Sequence, residues 1–112
     1  MTKMLRQGSS PSRRFNSRIE MNQEVWVCWN CNGRDDLSRV RDLSLGGLFL
    51  ETPAVRRIGV TTKLDFLVGE GQIRADAVIR HVVPGRGLGL KFTAVSEQDR
   101  QHFAALIRRL RG

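Results

Sequence analysis

The sequence predicts a mainly β domain, a small antiparallel barrel or sandwich with one C-terminal α-helix. Three observations carry that expectation. Short β-branched and aromatic runs recur at close spacing, clusters of Gly, Pro and Asn separate them, and the segment after Ser96 changes to a helical period. A chain of 112 residues fits one domain. Its 40% hydrophobic and 27% charged content is that of a globular fold. No apolar stretch approaches the roughly 20 residues of a membrane helix.

The first twelve residues carry Gly8, Ser9, Ser10, Pro11 and Ser12 and little apolar content. Such a composition cannot offset its own ordering entropy, so a flexible arm is expected over 1–12 and a folded domain over 13–112. Residues 25–29, Val-Trp-Val-Cys-Trp, favour a strand. Asn32-Gly33 is a pair suited to positive φ, and 37–43 resumes the alternation, so the two runs form a hairpin. The Gly46-Gly47 pair before Leu48-Phe49-Leu50 predicts a sharp bend or a bulge. Residues 63–68, 73–83 and 88–92 read as further strands, with turns at 69–71 and 84–87. At the end, Ser96 and Asp99 resemble a cap with an acidic first turn. Phe103, Leu106, Ile107 and Leu110 then fall on one helical face. Arg108, Arg109 and Arg111 in the last turn complement the helix dipole.

Two cysteines and no disulfide framework place the folding burden on the core, and the basic start without an apolar segment excludes a secretory signal. A cytoplasmic protein is expected. Cys28 and Cys31 spell CxxC, yet three positions along a strand is an odd step, which sends the thiols to opposite faces. Only His81 and His102 remain to complete a zinc set. Trp26 and Trp29 oppose each other for the same reason, one toward the core and one toward solvent.

Net charge is +8, with 19 basic residues against 11 acidic ones. Only Lys3, Lys63 and Lys91 are lysines, which leaves 16 arginines. That bias favours planar, bidentate recognition of phosphate or a guanine edge over a point charge, and it makes anionic partners the expected ones. Two arrangements concentrate the chemistry. Arg13, Arg14 and Arg18 cluster where the arm meets the folded body. Asp42, Ser44, Gly46 and Gly47 supply a carboxylate, a hydroxyl and a tight backbone between two apolar runs. Alone, Asp42 and Ser44 suit an ordinary self-bonded turn and the arginines a solvated basic face.

In this order, Arg14-Phe-Asn-Ser-Arg18 followed by Asp42-Leu-Ser44-Leu-Gly-Gly47 matches RxxxR and (D/N)xSxxG, and the chain resembles the PilZ domain family. The resemblance runs from residue 13 to about 110 and continues through 87–92 and the C-terminal helix. It implies a six-stranded antiparallel β-barrel with a C-terminal α-helix that binds the bacterial second messenger cyclic di-GMP. By that resemblance Arg13, Arg14, Arg18, Asp42, Ser44, Gly46 and Gly47 form the ligand site. An arginine at position 13 accompanies an intercalated ligand dimer. Arg80 occupies a place from which it can stack on a guanine, although an outward-facing strand residue accounts for it equally well.

The chemistry of the ligand agrees. Cyclic di-GMP presents two phosphates and two guanines, and an arginine engages either one bidentately. Asp42 can accept from the guanine N1–H and N2–H₂ groups, Ser44 can add a hydroxyl contact, and Gly47 leaves room for close approach. No cofactor or metal is implied. Neither a nucleophile–base pair nor a ligand cluster is visible, so a binding module rather than an enzyme is expected, with a downstream protein partner and no membrane contact. A basic barrel for single-stranded nucleic acid is the alternative from another class. Its demand for stacking platforms is poorly met by 6% aromatic residues and no Tyr. A protein adaptor of the same fold is the third.

Overall fold

The computed structural model describes residues 19–20 and 23–112. Among the described residues seven strands precede the helix: β1 (Ile19–Glu20), β2 (Trp26–Cys31), β3 (Arg34–Leu43), β4 (Gly47–Glu51), β5 (Thr61–Leu67), β6 (Ile73–Val83) and β7 (Gly87–Val95). A short 3₁₀ turn (Glu97–Asp99) leads into α1 (Arg100–Arg111). The sheet runs in the order β1-β3-β2-β5-β6-β7-β4, with every pairing antiparallel. The additional β3–β4 pairing closes the six strands other than β1 into a ring. The result is a closed six-stranded antiparallel barrel, with the two-residue β1 running beside β3. Among the described residues no helix is long and apolar enough to cross a membrane.

The β2–β3 hairpin turns at Asn32 (φ 55°) and Gly33 (φ 79°), the two successive left-handed residues that match a two-residue turn to the twist of its strands. Strict alternation along β2 sends Val27, Trp29 and Cys31 inward and leaves Trp26 and Cys28 on the outer face. Trp29 is fully buried and Trp26 is not, and the two thiols lie on opposite faces, as the odd spacing requires. The buried indole is satisfied, since Trp29 Nε1–H donates to Ser38 Oγ on β3 at 2.9 Å.

Helix α1 closes one side of the barrel through Phe103, Leu106 and Ile107. Burying each such side chain stabilises the fold by about 1.5–3 kcal/mol. The Phe103 ring meets Phe92 edge-on at 5.5 Å and Phe66 at 6.0 Å, an aromatic trio between helix and sheet. The helix ends are fastened differently from the sequence expectation. Ser96 and Asp99 make no side-chain caps. The Asp99 carboxylate instead accepts from the Arg74 backbone N–H at 2.9 Å and from Arg74 Nε at 3.2 Å, which bolts the start of the helix to β6. At the other end Arg109 does more than face the helix dipole, because its guanidinium donates to Glu70 in the β5–β6 turn and to Gln23.

The bonds from the Arg74 backbone amide, and then from its guanidinium, hold the Asp99 carboxyl below the usual carboxylate range. A carboxyl lowered by folding contributes stability above its unfolded pKa and loses it as pH falls through the folded one. The denaturation midpoint should therefore drop below about pH 4, with a shallower drop for Asp99→Asn. Parallel pH profiles for the two proteins would remove Asp99 from the account.

Candidate functional site

Strand β3 carries a phase change that builds the site. Val40 pairs with Leu50 and Asp42 with Phe49, so Arg41 is an extra residue, a β-bulge. Before it, Ser38 and Val40 face inward. After it the inward residue is Leu43, fully buried, while Asp42 is turned outward with its side chain 14% exposed. Unbroken alternation through Arg41 would drive the carboxylate into the barrel and Leu43 into solvent; the bulge instead sets Arg41 and Asp42 side by side on the outer face. A second bulge lies on β6, where Ile79 pairs with Leu90 and His81 with Gly89, so that Arg80 is the inserted residue.

The two bulges flank one outer surface. A cleft of about 370 Å³ is lined by Ser44, Gly46, Gly47, Arg80, His81 and Lys91, among others. A second, of about 480 Å³, is lined by Arg41, Asp42, Phe49, Ile58 and His81. His81 and Gly89 belong to both, so the clefts adjoin. In the second, Arg41 lies over the Phe49 ring with Cζ 3.9 Å from the centroid, and its Nε is 3.4 Å from Asp42 Oδ2. The ring and the carboxylate thus both engage the guanidinium.

The corner that joins β3 to β4 is maintained by Ser44. Its Oγ accepts from the N–H groups of Gly46 and Gly47, both at 3.2 Å, and donates to the Gly47 carbonyl at 3.3 Å. The hydroxyl is occupied in shaping the turn. The sharp bend expected at the pair is present at Leu45 and Gly46, with positive φ at neither glycine, and the β-bulge lies upstream, at Arg41. Gly47 is required by close approach of the sheet itself, since a Cβ there would sit 2.1 Å from the Leu90 carbonyl oxygen.

Asp42, Ser44, Gly46, Gly47 and Arg80 are therefore brought to one surface. Arg13, Arg14 and Arg18 lie outside the described residues. Ile19, which follows Arg18 in the chain, pairs with Leu43, and Glu20 pairs with Asp42. Sequence reasoning missed Arg41, Phe49 and Lys91. The signal for Arg41 was the odd step between the inward Val40 and Leu43. Among the described residues no group of three or more His, Cys, Asp or Glu is placed to hold a metal.

The family model for the PilZ domain matches residues 12–109. The chain belongs to the PilZ family. Its fold is similar to the PilZ domain of YcgR from Escherichia coli, a structure with c-di-GMP (TM-score 0.68, 21% identity, covering 88% of this chain and 92% of that one). It is also similar to MrkH of K. pneumonia in its apo state (0.71, 18%, 94% of this chain and 52% of MrkH). A third similar structure is the Bacillus subtilis inhibitor of motility (0.67, 18%, 83% and 50%). This PilZ chain spans about half the length of those last two proteins. At such identities the likeness speaks to the barrel and its helix. No curated protein matches the chain.

Proposed function

We propose that this PilZ domain is a non-enzymatic receptor for cyclic di-GMP, in which Arg13, Arg14 and Arg18 close on the ligand against the 42–47 corner. The observation that carries the reading is the pairing of Ile19 with Leu43 and of Glu20 with Asp42. It brings the chain directly after the arginine cluster alongside the outward carboxylate. Charge supports the same ligand. Arg80 and Lys91 line one cleft and Arg41 the other, which suits two phosphates, while Asp42 suits the N1–H and N2–H₂ donors of guanine. Ser44 serves by holding the corner.

Two adjoining clefts, together with Arg13, support an intercalated ligand dimer. The reading needs no cofactor, and it assigns the domain to the cytoplasm with a protein partner downstream. Calorimetric titration with cyclic di-GMP tests it, with saturable binding at two ligands per chain expected. Asp42→Ala should weaken cyclic di-GMP about tenfold and leave cyclic di-AMP almost unchanged. An equal loss for both dinucleotides would show that Asp42 does not read the base. Oligonucleotide binding that is salt-steep and displaces cyclic di-GMP would favour the nucleic-acid reading instead.

A further inference from the structure

The 42–47 corner has a second face. Leu45, at its tip, is 44% exposed and forms the lip of a groove of about 370 Å³ between β7 and α1. Phe92, Val95, Phe103 and Ala104 line it, with Arg100 at the edge. Along α1, Arg100, Ala104, Arg108 and Arg111 fall at i, i+4, i+8 and i+11, a stripe about 80° wide at helical pitch. All three of these arginines are exposed, and none has an ion-pair partner among the described residues. Arg109, on the opposite side of the helix, is by contrast paired with Glu70. An apolar trough thus runs beside a row of available guanidinium groups.

We infer that this groove docks an acidic amphipathic segment of a partner protein, and that docking depends on the ligand at the 42–47 corner. The dependence rests on the receptor reading above. Leu and Phe side chains at helical spacing would fill the trough over Phe92 and Phe103, while carboxylates meet the arginine row. The link to the ligand is physical and short. The Gly46 carbonyl accepts from the Phe92 N–H at 2.8 Å, and the Phe92 ring packs edge-on against Phe103 of the helix. A ligand that shifts the corner shifts both the lip and the floor of the groove. Single-stranded nucleic acid fits less well, because Phe103 is buried and offers no open ring face for a base.

The test pans a phage-displayed random peptide library against the full chain, with and without cyclic di-GMP. Enriched peptides should be acidic, with apolar residues at i, i+3 or i+4, and i+7. The leading synthetic peptide, followed by fluorescence anisotropy, should bind Ala104→Glu and Arg108→Glu at least about tenfold more weakly. Arg108 is exposed and Ala104 is half-buried at the groove edge, neither is among the buried residues of the helix, and glutamate is a good helix former, so the fold is retained. Cyclic di-GMP should change the peptide Kd at least about threefold, and the peptide should change the affinity for cyclic di-GMP by the same factor. Basic or uncharged winners, binding indifferent to both substitutions, or a homodimer dissolved by Ala104→Glu would each overturn the inference. Calorimetry with cyclic di-GMP alone separates the two readings. Binding without any effect on the peptide leaves the receptor standing and refutes the coupling, whereas no binding refutes the receptor while the ligand-free panning still tests the groove.

Discussion

Arg14→Ala and Arg18→Ala should each weaken cyclic di-GMP binding tenfold to a hundredfold in calorimetric titration. A guanidinium that donates to a phosphate or a guanine edge contributes about 1.5–3 kcal/mol per charge-assisted bond, and about 1.4 kcal/mol is a factor of ten. Arg14→Lys should also bind worse than the parent, because an ammonium keeps the charge and loses the planar fork. That third variant separates recognition from simple attraction. If Arg14→Lys binds as the parent does, the cluster acts as a cloud of charge. If both alanine variants do so, the closing arm is not part of the receptor.

Gly47→Ala should lower stability by about 3 kcal/mol, read as a shift of the urea midpoint without a change in slope. The added Cβ would stand 2.1 Å from the Leu90 carbonyl oxygen, 3.1 Å from its carbon and 3.2 Å from Lys91 Cα, all backbone atoms that no rotamer change can move. Strands β4 and β7 must separate, and the corner that Ser44 holds moves with β4. Gly89→Ala is the control on the same surface. Its Cβ would lie 3.2 Å from His81 Cβ, a contact that a small shift relieves, so its cost should stay below about 1 kcal/mol. Equal destabilisation by both would mean that crowding against β7 is not what position 47 avoids.

Much of this architecture was legible in the residues. The Asn32-Gly33 turn, the alternation of β2 and the apolar face of α1 each follow from a local period or a local backbone preference, and each is where the sequence puts it. What escaped depends on the partner strand. The bulges at Arg41 and Arg80 are defined by what β4 and β7 pair with, and β3 alone offers no more than the odd step from Val40 to Leu43. The bend at the glycine pair was legible, whereas the reason for glycine at position 47 is an atom of Leu90, 43 positions away. Ser96 looked like the cap and Asp99 like its first-turn acid, yet Ser96 makes no side-chain cap and the Asp99 carboxylate is taken up by two donors of Arg74 on a distant strand. At the 42–47 corner, the self-bonded turn that the sequence allowed Ser44 is the one it makes, whereas the place of Arg41 was not readable. Ser44 shapes the corner, while Arg41, lying over Phe49, stands beside the carboxylate.

The inserted arginine in β3 behaves as a reading-frame shift written in three dimensions. Anyone transplanting this recognition surface to another barrel must carry the surplus residue along with the acid. Deleting it would leave the acid outward in a regular ladder and strip away the guanidinium that stands over Phe49 next to it.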